Sequence, residues 1–182
     1  MTIVFIALAV LALDQASKYL CAAWLPTLPN GTFPLIDGVF ALSYVENRGA
    51  AFGMLEDARA FFIVATVLVC GAVIYFAVKE YKRLPALMKV SLALILSGAL
   101  GNFIDRVFLG YVRDMLYFEL INFPVFNVAD SAICIGAALL ILDLYFFKGK
   151  AYMAQLDERM ALGKKKKAPP ETQDGGGDGE ER

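Results

Sequence analysis

Four stretches of the 182-residue chain are apolar almost without a break: Thr2 to about Leu25, Arg59 to Val78, Leu87 to Ile104 and Asn127 to Phe147. Each is close to the ~20 residues that an α-helix needs to cross a bilayer core of ~30 Å, so the pattern predicts four spanning helices. No basic segment precedes the first one, and its apolar stretch continues past Asp14, Gln15, Ser17 and Lys18. A retained helix is therefore expected rather than a cleaved signal. Between the first two spans, Asn30-Gly31 marks a turn, and the half-alternating stretch from Val39 to Val45 carries β-branched and aromatic residues, as short strands do. Residues 108–126 have a similar composition and can add strands to the same platform, with Pro124 favouring an extended entry into the fourth span. After it, Met153, Leu156 and Met160 recur at helical spacing among charged residues, which predicts an interfacial helix over 149–163. Residues 164–182, KKKKAPPETQDGGGDGEER, are too polar and too rich in Gly and Pro to fold alone and are expected to form a disordered tail.

Charge distribution orients this scheme. Lys+Arg 17 nearly balance Asp+Glu 18, but the basic residues cluster. Lys79, Lys82, Arg83 and Lys89 fall between spans two and three, and Lys148, Lys150, Arg159 and Lys164 through Lys167 follow span four. Lys and Arg are retained on the cytoplasmic side. Both termini and the tail are thus expected there, with connections one and three external. The fold class is an all-α membrane protein: four transmembrane helices within residues 1–148, with a small extracytoplasmic β-platform and external loops. An apolar fraction of 59% excludes an ordinary soluble domain. The lysine run points to anionic lipid headgroups rather than nucleic acid. Trp24 reads as an interfacial anchor, and Asp143 as an interfacial residue without a catalytic part.

Absent chemistry narrows the rest. His 0 removes Ser-His-Asp and Cys-His catalysis and the commonest zinc ligand, and no metal or cofactor is expected. Cys21, Cys70 and Cys134 lie apart, with no paired motif, and read as buried thiols. What remains is a set of ionisable and amide side chains inside the spans, where each is costly enough to be a functional hypothesis. With the amino terminus inside, Asp14 and Lys18 lie after roughly 18 Å and 24 Å of helix rise. Asn102, Asp105 and Arg106 end the outward third span, and Asn127 and Asp130 begin the fourth. All converge on one external level. Spacings of three and four place each set on one helix face, which suits interhelical ion pairs and hydrogen bonds that stabilise the bundle. Asp130 can instead meet a second carboxylate, Asp114 or Asp105, at the membrane surface. Two carboxylates in a desolvated site cannot both ionise easily, so one keeps a proton and the other acts as a base. A small transporter or a structural membrane subunit would use similar residues, although an ion path needs them at several depths.

The blocks DQASK (Asp14 to Lys18), ENRGAAFG (Glu46 to Gly53), SGALGNFIDR (Ser97 to Arg106), Val112-Arg113-Asp114 and FNVADSAI (Phe126 to Ile133) occur in this order. In these the chain resembles the lipoprotein signal peptidases, or signal peptidase II, over about residues 1–148. The resemblance implies an intramembrane aspartic endopeptidase with Asp114 and Asp130 as its catalytic pair. It also implies substrate-binding or orienting roles for Asp14, Lys18, Asn47, Asn102, Asp105, Arg106 and Asn127. The implied substrate is a prolipoprotein, cut on the amino side of a diacylglyceryl-modified cysteine, and the implied enzyme is a monomer in the bacterial inner membrane. Met115 stands where the family usually has Phe, and Ser97 where Gly is common; both are expected to be tolerated. The small-residue run Gly49, Ala50, Ala51 and Gly53 marks a place where substrate backbone can approach closely.

Overall fold

The computed structural model describes residues 2–49 and 58–167, with side chains as far as residue 162. The four apolar stretches fold as helices α1 (Thr2–Trp24), α2 (Arg59–Glu80), α3 (Ala86–Phe108) and α4 (Val128–Phe146). All four are long and apolar enough to cross a membrane. Their ends follow local chemistry. Pro26 sits in the 3-10 turn that closes α1, and Pro85 precedes α3, where its missing N–H costs nothing. Gly110, at φ 89°, ends α3 in the left-handed region and donates to the Asp105 carbonyl.

Three strands complete the platform: β1 (Thr32–Ile36), β2 (Phe40–Asn47) and β3 (Val112–Tyr117), antiparallel in the order β1-β2-β3. β2 and β3 fall within the two connections where strand composition was noted. Leu42 faces Leu116 while Val45 faces Asp114, so β2 carries one extra residue there. Such a bulge bends the strand and redirects its side chains.

α3 is the central helix and the most buried of the four. Small residues let its neighbours come close, as helix packing without a hydrophobic driving force requires. A Cβ on Gly98 would collide with the Ala129 backbone, and one on Gly136 would lie 2.9 Å from the Ser91 carbonyl. At the end far from the sheet, Cys70, Ala77, Leu84, Met88 and Leu92 form an apolar core. Outward positions such as Phe5, Leu8, Leu68, Val78 and Phe146 stay exposed, as lipid-facing side chains would.

The last helix, α5 (Lys148–Lys167), starts almost where expected but runs past the predicted boundary at 163. Residues 164–167 are helical rather than part of a disordered tail. The lone Gly163 costs only about 1 kcal/mol, lysines are good helix formers, and the next strong breaker is Pro169. The tail from 168 onward lies outside the described residues. α5 packs Tyr152, Met153 and Leu156 on the apolar core, and Arg159 pairs with Glu80 of α2 at 2.7 Å. Asp143, expected at the interface, is 1% exposed and lies beneath the start of α5 beside Gly149. Cys70 is buried as expected, whereas Cys21 is half-buried and Cys134 exposed.

Candidate active site

The site is built where β3, the end of α3 and the start of α4 meet. After β3 the chain makes a short loop and returns, so that Phe126 pairs with Leu116. The Phe126 carbonyl accepts from the N–H groups of Met115 and Leu116 at 3.0 and 2.8 Å. Phe118 stacks on Phe126 with centroids 5.6 Å apart. This return brings Asn127 beside Asp114. Asn127 then caps α4 reciprocally: its Oδ1 accepts from the Asp130 N–H at 2.9 Å, and Asp130 Oδ2 accepts from the Asn127 N–H at 3.1 Å. A capping box of this kind satisfies two orphan donors and holds the carboxylate at the positive end of the helix.

Three asparagines connect the two carboxylates. Asn127 Nδ2 donates to Asp114 Oδ1 at 2.6 Å and Asn47 Nδ2 donates to Asp114 Oδ2 at 2.9 Å. Asn102 Nδ2 donates to Asp130 Oδ1 at 2.7 Å, while Asn102 Oδ1 accepts from both Asn127 and Lys18, at 3.1 and 2.9 Å. Asp114 is 1% exposed. Burial pushes its carboxyl up to about 6; the Asn47 donor opposes that rise and the nearby Asp130 charge adds to it.

Behind the asparagines lies a charged layer. Lys18 is fully buried and sits 3.0 Å from Asp14 and 3.6 Å from Asp105. Asp14 Oδ1 also accepts from the Ala129 N–H at 2.9 Å, tying α1 to the first turn of α4. A buried ammonium survives only when paired and fully bonded, and Lys18 has two carboxylates and an amide oxygen for that purpose. Arg106 reaches the other way, donating to the Gly49 carbonyl at 3.2 Å and lying 4.6 Å from the centre of the Phe62 ring.

A cavity of about 1170 Å³ opens at this junction. Asn47, Gly49, Asn102, Arg106, Asp114 and Asp130 line its polar side; Phe118, Phe123, Phe126 and Ile135 line its apolar side, with Cys134 among them. Asp14, Lys18, Asp105 and Asn127 act from behind that wall. All nine residues singled out in the sequence therefore join one network, in two layers. Ala50, Ala51 and Gly53 lie outside the described residues. Sequence reasoning missed Gln15 and Arg113, which bind Asp105: Arg113 Nη2 reaches Asp105 Oδ1 at 2.7 Å and Gln15 Oε1 at 3.0 Å. Arg113 stands between Val112 and Asp114, and its one signal was a cation adjoining Asp114. A buried carboxylate, Asp114, and a half-buried one, Asp130, linked through amides beside a largely apolar cavity, can share a proton and activate water next to a ligand with polar and apolar parts.

Comparison with known proteins bears on that chemistry. Curated lipoprotein signal peptidases include one from Caldanaerobacter subterraneus subsp. tengcongensis, 52% identical over 150 residues, covering 82% of this chain and 98% of that protein. Another, from Streptococcus thermophilus, is 48% identical over 138 residues, covering 76% of this chain and 88% of its own. A bacterial membrane enzyme solved by the in meso method superposes with a TM-score of 0.70 at 36% identity, covering 80% of this chain and 93% of that one. Four membrane-length helices and this likeness make the chain a multi-pass bacterial membrane protein. Residues 6–146 match the signal peptidase (SPase) II family, and with that match and these relatives the chain belongs to the signal peptidase II family of membrane proteases.

Proposed function

We propose that the chain is an aspartic endopeptidase that removes signal peptides from prolipoproteins, cutting on the amino side of a diacylglyceryl-modified cysteine. The observation that carries this reading is the amide-bridged pair Asp114 and Asp130 on the wall of a part-apolar cavity. One carboxylate takes a proton from water as it attacks the scissile carbonyl, and the other protonates the carbonyl oxygen. The resulting diol collapses with proton return to the leaving amine. Asn127 and Asn47 hold Asp114, and Asn102 holds Asp130, so little reorganisation is needed when charge develops. Arg106 and Asn47, on the cavity wall, are placed to orient substrate backbone. The phenylalanines and Ile135 supply an apolar wall for a lipid-bearing end.

Topology fits that substrate. Clustered basic residues beside Glu80 and in α5 support a cytoplasmic side for that end, and on this reading both termini lie there and the sheet and cavity lie near the outer leaflet. A signal helix in the membrane would then present its lipidated cysteine at the level of the dyad. A monomer suffices for this reading, since among the described residues both carboxylates and the asparagine amides that bind them belong to one chain.

The test is cleavage of one prolipoprotein, with and without its diacylglyceryl group, by purified wild type, Asp114→Asn and Asp130→Asn. Only the lipidated form should be cut, with or without chelator, and each variant should fold yet lose on the order of 10³-fold or more in rate. Retained cleavage by both variants would remove the dyad, and sensitivity to chelator would call for a metal mechanism instead.

A further inference from the structure

Gln15 and Arg113 belong to no part of the proposed chemistry, yet they hold the strand that carries Asp114. Successive residues of a strand point to opposite faces, so while Asp114 faces the cavity, Arg113 turns to Gln15 within α1 and to Asp105 near the end of α3. There its guanidinium forks onto Asp105, with Nε 3.1 Å from Oδ2 and Nη2 2.7 Å from Oδ1, and its backbone N–H donates to the same Oδ2 at 3.0 Å. The Asp105 side chain is fully buried and that of Arg113 is 14% exposed. Nη2 also donates to Gln15 Oε1 at 3.0 Å, and Gln15 Nε2 donates to Asp14 Oδ2 at 3.0 Å and to the Gly101 carbonyl at 3.1 Å. Asp114 is thus the next residue after a backbone unit pinned by both its N–H and its side chain. The pin reaches one helix through Asp105 and another through Gln15.

We infer that Arg113, supported by Gln15, is a positioning residue for Asp114: a planar clamp that fixes β3 against α1 and α3 and so sets the place of Asp114 relative to Asp130. This rests on the proposed dyad. A bidentate guanidinium–carboxylate pair fixes angle as well as distance. Lysine keeps the charge but, as a point charge on a flexible stem, does not reproduce the fork. Catalytic geometry is sensitive to this, since a misplacement of about 1 Å can cost on the order of 100-fold in rate.

The experiment measures kcat and KM per folded enzyme, with lipidated prolipoprotein, for Arg113→Lys and Gln15→Met, alongside Asp114→Asn. Arg113→Lys should lower kcat roughly 10- to 100-fold with KM within about twofold, and Gln15→Met should lower kcat less. A merely structural role would reduce the folded fraction and leave kcat per folded molecule unchanged. If Arg113→Lys keeps wild-type kcat, or raises KM alone, while Asp114→Asn is inactive, the clamp is refuted and the dyad stands. If Asp114→Asn is active, the dyad fails and the positioning role falls with it. Should Arg113→Lys not fold, Gln15→Met decides: a lower kcat supports the clamp, and an unchanged one overturns it.

Discussion

Asp114 accepts one amide N–H on each carboxylate oxygen, from Asn127 and from Asn47, yet burial still holds it up to about 6. Desolvation therefore outweighs two good donors, as expected where the charged form has lost nearly all its water. The consequence for stability has a definite sign. An unfolded Asp titrates near about 3.9, so between that pH and about 6 the folded chain binds the extra proton. Stability from this group is complete below about pH 4 and is lost as pH rises through 6, by about 3 kcal/mol in all. Asp114→Asn removes the titration. Its amide also sets a donor against one of the two donors, a cost that does not vary with pH. The melting temperature of the wild type should thus fall relative to that of Asp114→Asn between pH 4 and 7. Parallel curves over that range would show that Asp114 titrates near its ordinary value.

At the scale of elements, contact between α3 and α4 decides whether Asn102 reaches Asp130 at all. Gly98 meets the Ala129 backbone, and a Cβ on Gly101 would collide with the Asp14 carboxylate and lie 3.2 Å from the Ala129 Cβ. Gly98→Val should cost about 1–3 kcal/mol through overpacking and should reduce activity with it, because the helices must separate. Gly71→Ala, inside α2 with nothing within 4 Å of the new Cβ, should not destabilise and should gain up to about 1 kcal/mol from helix propensity. Thermal unfolding of the two variants in one detergent checks this contrast, and equal losses would refute it. The helices, and the faces that bear Asp14, Lys18, Asn102 and Asp105, were legible in the sequence because length, apolarity and a spacing of three or four are local signals. The shared face of Asp14 and Lys18 was also legible, although the ion pairs expected there were interhelical and the two residues also pair with each other at 3.0 Å. The choice between Asp105 and Asp114 as partner of Asp130 was not legible from spacing alone. It depends on the return of Phe126 onto Leu116 and on the bulge in β2, both non-local pairings. Arg113 was opaque for the same reason: its partners lie on α3 and on α1, and nothing next to it in sequence identifies them.

Across the whole molecule the cavity and α5 sit at opposite ends of the bundle. Ala86 starts α3 close to Glu80, and Asn102 lies sixteen residues further along the same helix, roughly 24 Å away at 1.5 Å per residue. α5 grips the far end through the Tyr152 hydroxyl, which donates to Glu80 at 3.3 Å, and through Arg159, which pairs with the same carboxylate. Tyr152, Met153 and Leu156 cover the core there. Two truncations should therefore differ. Ending the chain after Gly163 keeps every one of these contacts and removes only the lysine run and the residues beyond it, so kcat/KM should stay within about twofold of wild type. Ending it after Phe147 uncovers Leu84 and Met88 and leaves the buried Glu80 without Arg159. With that apolar core exposed and Glu80 keeping only Arg83 at 3.7 Å, the folded yield should fall sharply even though no residue of the cavity has changed. Activity per folded molecule, measured beside melting temperature for both truncations, separates the two effects. A large loss of turnover in the Gly163 truncation at unchanged melting temperature would mean that the basic tail acts on catalysis over that distance.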